Sequence, residues 1–247
     1  MSGDVTSPVE ALRGRLAAAH ARIDRAAADA GRDPAAVTLL LATKTQPADV
    51  VRSAVLAHRA LGAPRPLLLG ENRVQELVAK APALADLHLP YHLIGPLQAN
   101  KVNAALRWAD AVDSVESLAL AQRLAERRAA AGAALDVMVQ VNVSGEGSKH
   151  GVPPDEAASL AAAVAALDGL RLVGFQTIGA LGAGEADLRA GYARLRDLRD
   201  EVVASGADGT AGAVELSMGM SGDLEPAIAE GATVVRLGTA VFGPRVA

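Results

Sequence analysis

Eight apolar runs of strand length, each followed by a stretch with helical spacing, constrain this chain more than any other feature. The runs are Val37–Ala42, Leu67–Leu69, Tyr91–Ile94, Ala111–Val115, Val137–Val143, Leu172–Ile178, Val214–Met218 and Thr233–Leu237. They are apolar almost throughout and do not alternate with polar residues, as expected of parallel strands buried on both faces. Repeated strand-helix units predict an α/β fold, a single (β/α)8 barrel of the TIM type, and 247 residues matches the roughly 250 such a barrel uses. Ahead of the first strand, Val9 to Ala30 carries apolar residues at helical spacing with Arg13, Arg15, Arg22 and Arg25 between them, an extra N-terminal helix stopped by Gly31 and Pro34. The Ala-rich segments 124–134 and 157–167 are periodic and predict helices. No linker breaks the pattern, so one domain is expected over 1–247, with 1–8 a polar leader outside its order.

Composition removes several classes of function. Aromatic residues are 2% of the chain and the net charge is -4, which leaves few rings for stacking bases and no general attraction to phosphate backbones. Nucleic acid is not an expected partner. The absence of cysteine excludes disulfides, thiolate catalysis and cysteine-ligated zinc. The first ten residues contain Asp4 and Glu10 and no apolar stretch of a secretory signal, and no segment has the ~18 apolar residues of a membrane span, so a cytoplasmic protein is expected.

In such a barrel the reactive groups gather where strands end and loops begin. The first run ends at Lys44, one of four lysines beside Lys80, Lys101 and Lys149. A lysine projecting into the barrel mouth can become nucleophilic toward an aldehyde by desolvation and nearby cations; equally, it can snorkel at a strand end. Near the C-terminus, Ser221-Gly222-Asp223-Leu224-Glu225 reads as a helix start with Ser221 as N-cap, and Gly238-Thr239-Ala240 opens another short segment. Singly these are a cap and a turn. Together they offer N–H donors where phosphate sites recur in barrels, and opposite Lys44 they suggest a phosphorylated aldehyde.

Arg236, two residues before Gly238, points to the same side of the last strand, where it either faces a pyridine nitrogen or pairs with Glu215 or Glu71. Ser217 and Met218, at the seventh strand end, join the expected binding set. Asn72 and Asn142 either hydrogen-bond the ligand or tie loops together. His92 and His150 lack metal-ligand spacing and read as structural; no metal site is expected. Gly145 to Gly151 lacks the residue order of a P-loop.

Three stretches resemble one family closely. They are Gly70-Glu71-Asn72-Arg73-Val74-Gln75-Glu76, His92-Leu93-Ile94-Gly95-Pro96-Leu97-Gln98-Ala99-Asn100-Lys101, and Leu216 to Ser221 followed by Val235 to Gly243. The chain resembles the pyridoxal phosphate homeostasis proteins, relatives of the alanine racemase barrel. That resemblance implies pyridoxal 5′-phosphate (PLP) held as a Schiff base on Lys44, with Ser221, Gly238 and Thr239 around the phosphate and Arg236 near the pyridine nitrogen. It also implies buffering or delivery of PLP to apo-enzymes, with effects on amino-acid and keto-acid metabolism and no catalytic residues. Arg73 and Gln176 depart from the aromatic and methionine common in relatives. A monomer or weak homodimer is expected.

A PLP-dependent amino-acid racemase is the competing expectation, disfavoured because racemisation needs an acid/base on each face of the substrate and the chain ends at Ala247 without the β-domain that supplies the second. A barrel enzyme acting on sugar phosphates through Lys44 is the more distant one.

Overall fold

The computed structural model describes residues 8–129, 132–147 and 149–244. Eight parallel strands close into a barrel in sequence order: β1 (Thr38–Ala42), β2 (Leu67–Glu71), β3 (Tyr91–Leu93), β4 (Ala111–Val115), β5 (Leu135–Gln140), β6 (Leu170–Gln176), β7 (Glu215–Ser217) and β8 (Val234–Leu237), the last pairing back onto the first. The helices are α1 (Pro8–Asp29), α2 (Ala48–Leu61), α3 (Val74–Leu84), α4 (Val102–Ala105), α5 (Leu118–Ala129), α6 (Pro154–Ala165), α7 (Glu185–Ala204), α8 (Leu224–Ala229) and α9 (Thr239–Phe242). Apart from Pro8, the expected leader lies outside the described residues.

Two-sided burial explains the uninterrupted apolar strands. In β1, Leu39 and Leu41 pack into the layer shared with the helices, while Leu40 turns into the barrel against Ile94 and Val234. All three leucines are fully buried, and at about 25 cal/mol per Å² of apolar surface such positions dominate the stabilisation of the fold.

Several element boundaries differ from the sequence pattern for local reasons. β5 and β6 start two residues earlier than their apolar runs, where Asp136 and Arg171 stand opposite each other and form an ion pair of 2.6 Å. β5 also stops at Gln140. Beyond it, Val152 N–H donates to the Gln140 carbonyl and Asn142 N–H to the Val152 carbonyl, so residues 141–143 belong to a loop. Of the Ala-rich segment 124–134, α5 is described through Ala129, residues 130–131 lie outside the described residues, Gly132 has a left-handed φ of 70° and the chain re-enters the barrel at Leu135.

α1 packs on α2, α8 and α9 outside the barrel. At its contact with α2 a buried polar chain forms. Arg65 Nε donates to His20 Nδ1 at 2.9 Å, and His20 Nε2 lies 3.1 Å from His58 Nδ1. A guanidinium only donates, so His20 Nδ1 must be the acceptor and Nε2 must carry the proton passed toward His58. Both rings are therefore neutral. Burial, reinforced by the Arg65 charge and His58, holds His20 at about 4 against a usual 6.5. Burial likewise lowers His58.

Because the unfolded chain takes up this proton near pH 6.5 and the folded chain only near 4, stability from His20 is complete above the first value and is lost as pH falls toward the second. At about 1.4 kcal/mol per pH unit, the loss is roughly 3 kcal/mol. Urea unfolding at about pH 7 and pH 4.5 is expected to show it, with a shallower slope in His20→Gln. Equal pH slopes for the two proteins would remove His20 as the cause.

Candidate active site at the barrel mouth

A cleft of about 600 Å³ opens at the C-terminal ends of the strands. Lys44, Asn72, Ser221, Arg236, Gly238 and Thr239 all line it, from four strand ends and the loops that follow them. Strand geometry brings them together: residues 236 and 238 share a side of the chain, and β8 lies beside β1, whose end leads into Lys44.

Arg236 is the buried wall. Its Nη1 donates to Ser217 Oγ at 2.9 Å and its Nη2 to the Thr177 carbonyl at 2.6 Å. Among the described residues no carboxylate forms an ion pair with it. Glu215 instead accepts from Thr233, and Glu71 pairs with Lys80. Burial pulls the guanidinium below its usual pKa, opposed by the negative charges of Asp113 and Asp223. An arginine stays protonated through such a shift, so a cation that only donates is fixed at the side of the cleft.

Ser221 does not cap a helix. The cap position of α8 is Asp223, whose carboxylate accepts from Met220 N–H at 2.5 Å and from Tyr192 OH at 2.7 Å. Those bonds hold residues 220–223 as a turn, which keeps Ser221 clear of the helix. The turn starts at Gly219, with φ 89° and the place of a Cβ only 2.5 Å from Ala227 Cβ, so glycine is required there. Ser221 Oγ accepts from Ala240 N–H at 3.1 Å, tying the loop after β7 to the start of α9. Arg22 of α1 donates to the Ser221 carbonyl at 3.1 Å, which anchors the loop from outside. The short helix α9 begins after Gly238 as the sequence pattern suggests.

Three expected contacts fall elsewhere. Ser217 is fully buried beneath Arg236 and orients it. Met218 is fully buried in the hydrophobic core, because alternate residues of a strand face opposite sides and Ser217 takes the inner one. Asn142 is committed to its own loop, donating to the Glu146 carbonyl at 2.9 Å and accepting from Ser144 Oγ at 3.0 Å. His92 is the structural histidine expected, 2.9 Å from Asp113 inside the barrel. Burial opposes its charge, but Asp113 outweighs it and raises the pKa.

Gln140, Lys149 and His150 also line the cleft. Gln140 ends β5, and Lys149 and His150 sit in the loop after it, which shows no motif. Lys149 Nζ donates to the Gly179 carbonyl at 2.8 Å and pairs with Glu146, also at 2.8 Å.

Residues 15–246 match the family model described as alanine racemase, N-terminal domain. A Pseudomonas aeruginosa protein named pyridoxal phosphate homeostasis protein is 47% identical over 93% of this chain and 94% of its own length. This chain belongs to the pyridoxal phosphate homeostasis protein family. Among solved structures, PipY of Synechococcus elongatus with PLP bound is similar at a TM-score of 0.79 and 33% identity, covering 94% of this chain and 100% of that one. An alanine racemase of Clostridium difficile, at 16% identity, TM-score 0.70 and 96% of this chain against 57% of that one, shares the fold. No described helix of this family member is long and apolar enough to cross a membrane.

Proposed function

We propose that this chain binds PLP at the barrel mouth with its aldehyde on the Lys44 amine, and acts in the cytoplasm to buffer and deliver the cofactor, without catalysing amino-acid turnover. The observation that carries the reading is one cleft lined by a lysine, an arginine with no carboxylate partner among the described residues, and two loops joined through Ser221. The donor set fits the cofactor's three ends. An amine suits an aldehyde, a guanidinium suits an unprotonated pyridine nitrogen, and a hydroxyl with loop N–H groups suits a phosphate dianion. Relatives carrying the homeostasis name, and PipY with PLP bound, support the same reading.

Bound there, PLP supplies a reversibly captured aldehyde. The protein's own residues set how that aldehyde and its ring behave. Arg236 offers no acceptor for a pyridinium proton, which makes the ring a weak electron sink and disfavours transamination. Ser221 already accepts from Ala240, so its hydroxyl proton remains available to donate to the phosphate. Asn72, directly after β2, lines the same cleft and would hydrogen-bond the ring side of the ligand.

Equilibrium dialysis of PLP against pyridoxal tests the site. Pyridoxal is expected to bind far more weakly, and Ser221→Ala to weaken PLP by about 0.5–1.5 kcal/mol, or somewhat more because the acceptor is charged. Equal affinity for both vitamers would rule out a phosphate site in these loops. Incubation with L- and D-amino acids is expected to yield neither racemisation nor keto acids at an enzyme's rate; robust turnover would overturn the carrier reading.

A further inference from the structure

Outside the lining of the cleft, a charged cluster grips the backbone on both sides of Lys44. Lys80 Nζ, on α3, donates to the Thr43 carbonyl at 2.7 Å and pairs with Glu71 at 2.5 Å and Glu76 at 3.3 Å. Glu76 in turn accepts the Thr45 N–H at 2.6 Å, and Glu71 accepts from Thr43 Oγ1 at 2.5 Å. One ammonium and two carboxylates thus hold the peptide units that precede and follow Lys44.

The arrangement is costly and local. Thr45 has a left-handed φ of 65°, a conformation a β-branched residue adopts only when its surroundings impose it. Lys80 and Glu71 are buried, and a lysine and a glutamate are rarely buried unless they are paired. The left-handed Thr45 closes a sharp reversal of the chain directly after Lys44.

We propose that Lys80 is a positioning residue for Lys44, acting through the Thr43 carbonyl and, by way of Glu76, the Thr45 N–H to fix the direction of the capturing amine. This rests on Lys44 being that amine. A misplacement of an ångström at a reacting group costs up to about a hundredfold in rate, so loosening the clamp is expected to slow capture without moving it to another lysine.

Two measurements test it separately. In protein freed of PLP, amide hydrogen exchange reports whether Thr45 N–H is held. In protein mixed with PLP, borohydride quenching at timed intervals and peptide mass analysis report the rate of capture at Lys44. Lys80→Met and Glu76→Ala are both expected to lose protection at Thr45 and to slow capture by on the order of tenfold to a hundredfold, with Lys80→Arg restoring most of the rate. Glu76 is partly exposed, so Glu76→Ala tests the clamp even if Lys80→Met does not fold. Capture at the wild-type rate in Glu76→Ala, or undiminished Thr45 protection in both variants, overturns the proposal. Failure of the wild-type protein to capture PLP at Lys44 would refute the binding site instead, and the exchange data would still decide whether the clamp exists.

Discussion

Lys44→Ala is expected to abolish retention of PLP. On the proposed binding mode every other contact with PLP would be a hydrogen bond or an ion contact worth about 1–3 kcal/mol, whereas the lysine would supply the covalent hold on the aldehyde. After gel filtration the wild-type protein is expected to keep its visible absorption, and the variant to keep none. The same loss is expected in stability. A ligand at a hundred times its dissociation constant adds roughly 2.7 kcal/mol to the folded state, and Lys44→Ala forfeits most of that while matching the wild type when PLP is absent. Delivery should fail with it: a PLP-free acceptor enzyme is expected to be activated by the loaded wild-type protein and not by the variant. Retention of coloured cofactor by Lys44→Ala would place the capturing amine elsewhere.

Gly174→Ala is expected to prevent folding, or to destabilise the barrel beyond the roughly 4–5 kcal/mol reached only by exceptional substitutions. Gly174 of β6 pairs with Glu215 of β7, and a Cβ at that position would lie 2.0 Å from the Glu215 carbonyl oxygen and 2.6 Å from its carbon. The obstacle is backbone inside a closed sheet, and neither strand can retreat without breaking its other ladder. Gly14→Ala is the matched control. Gly14 lies exposed on α1 with open space around it, so alanine is expected to stabilise by about 0.5–1 kcal/mol through helix propensity. Chemical denaturation of both variants checks the pair; a Gly174→Ala midpoint near that of the wild type would show the barrel to be far more yielding than its register implies.

The barrel was legible because two-sided burial writes itself as continuous apolar sequence. Val37–Ala42 became β1 with its inner and outer leucines, and Thr233–Leu237 became β8. What the pattern missed was pairing between polar residues. Asp136 and Arg171 extend β5 and β6 at their starts, and the bridge to Val152 turns Val141, Asn142 and Val143 into loop. The same limit applies in the cleft. Lys44, Arg236 and Gly238 sit at strand ends, where position alone predicts them. Ser221 reads as a cap in sequence, yet its acceptor role depends on Ala240, nineteen residues later in the chain. Lys80 stands on a helix just past the Gly70 to Glu76 stretch, and nothing local shows that its ammonium reaches back to Thr43.

Reduction of the wild-type protein with borohydride after incubation with PLP, followed by peptide mass mapping, tests the central claim most directly. A pyridoxyl group on Lys44 at near-stoichiometric yield is the expected result. A group on Lys80, Lys101 or Lys149 with Lys44 unmodified would contradict it.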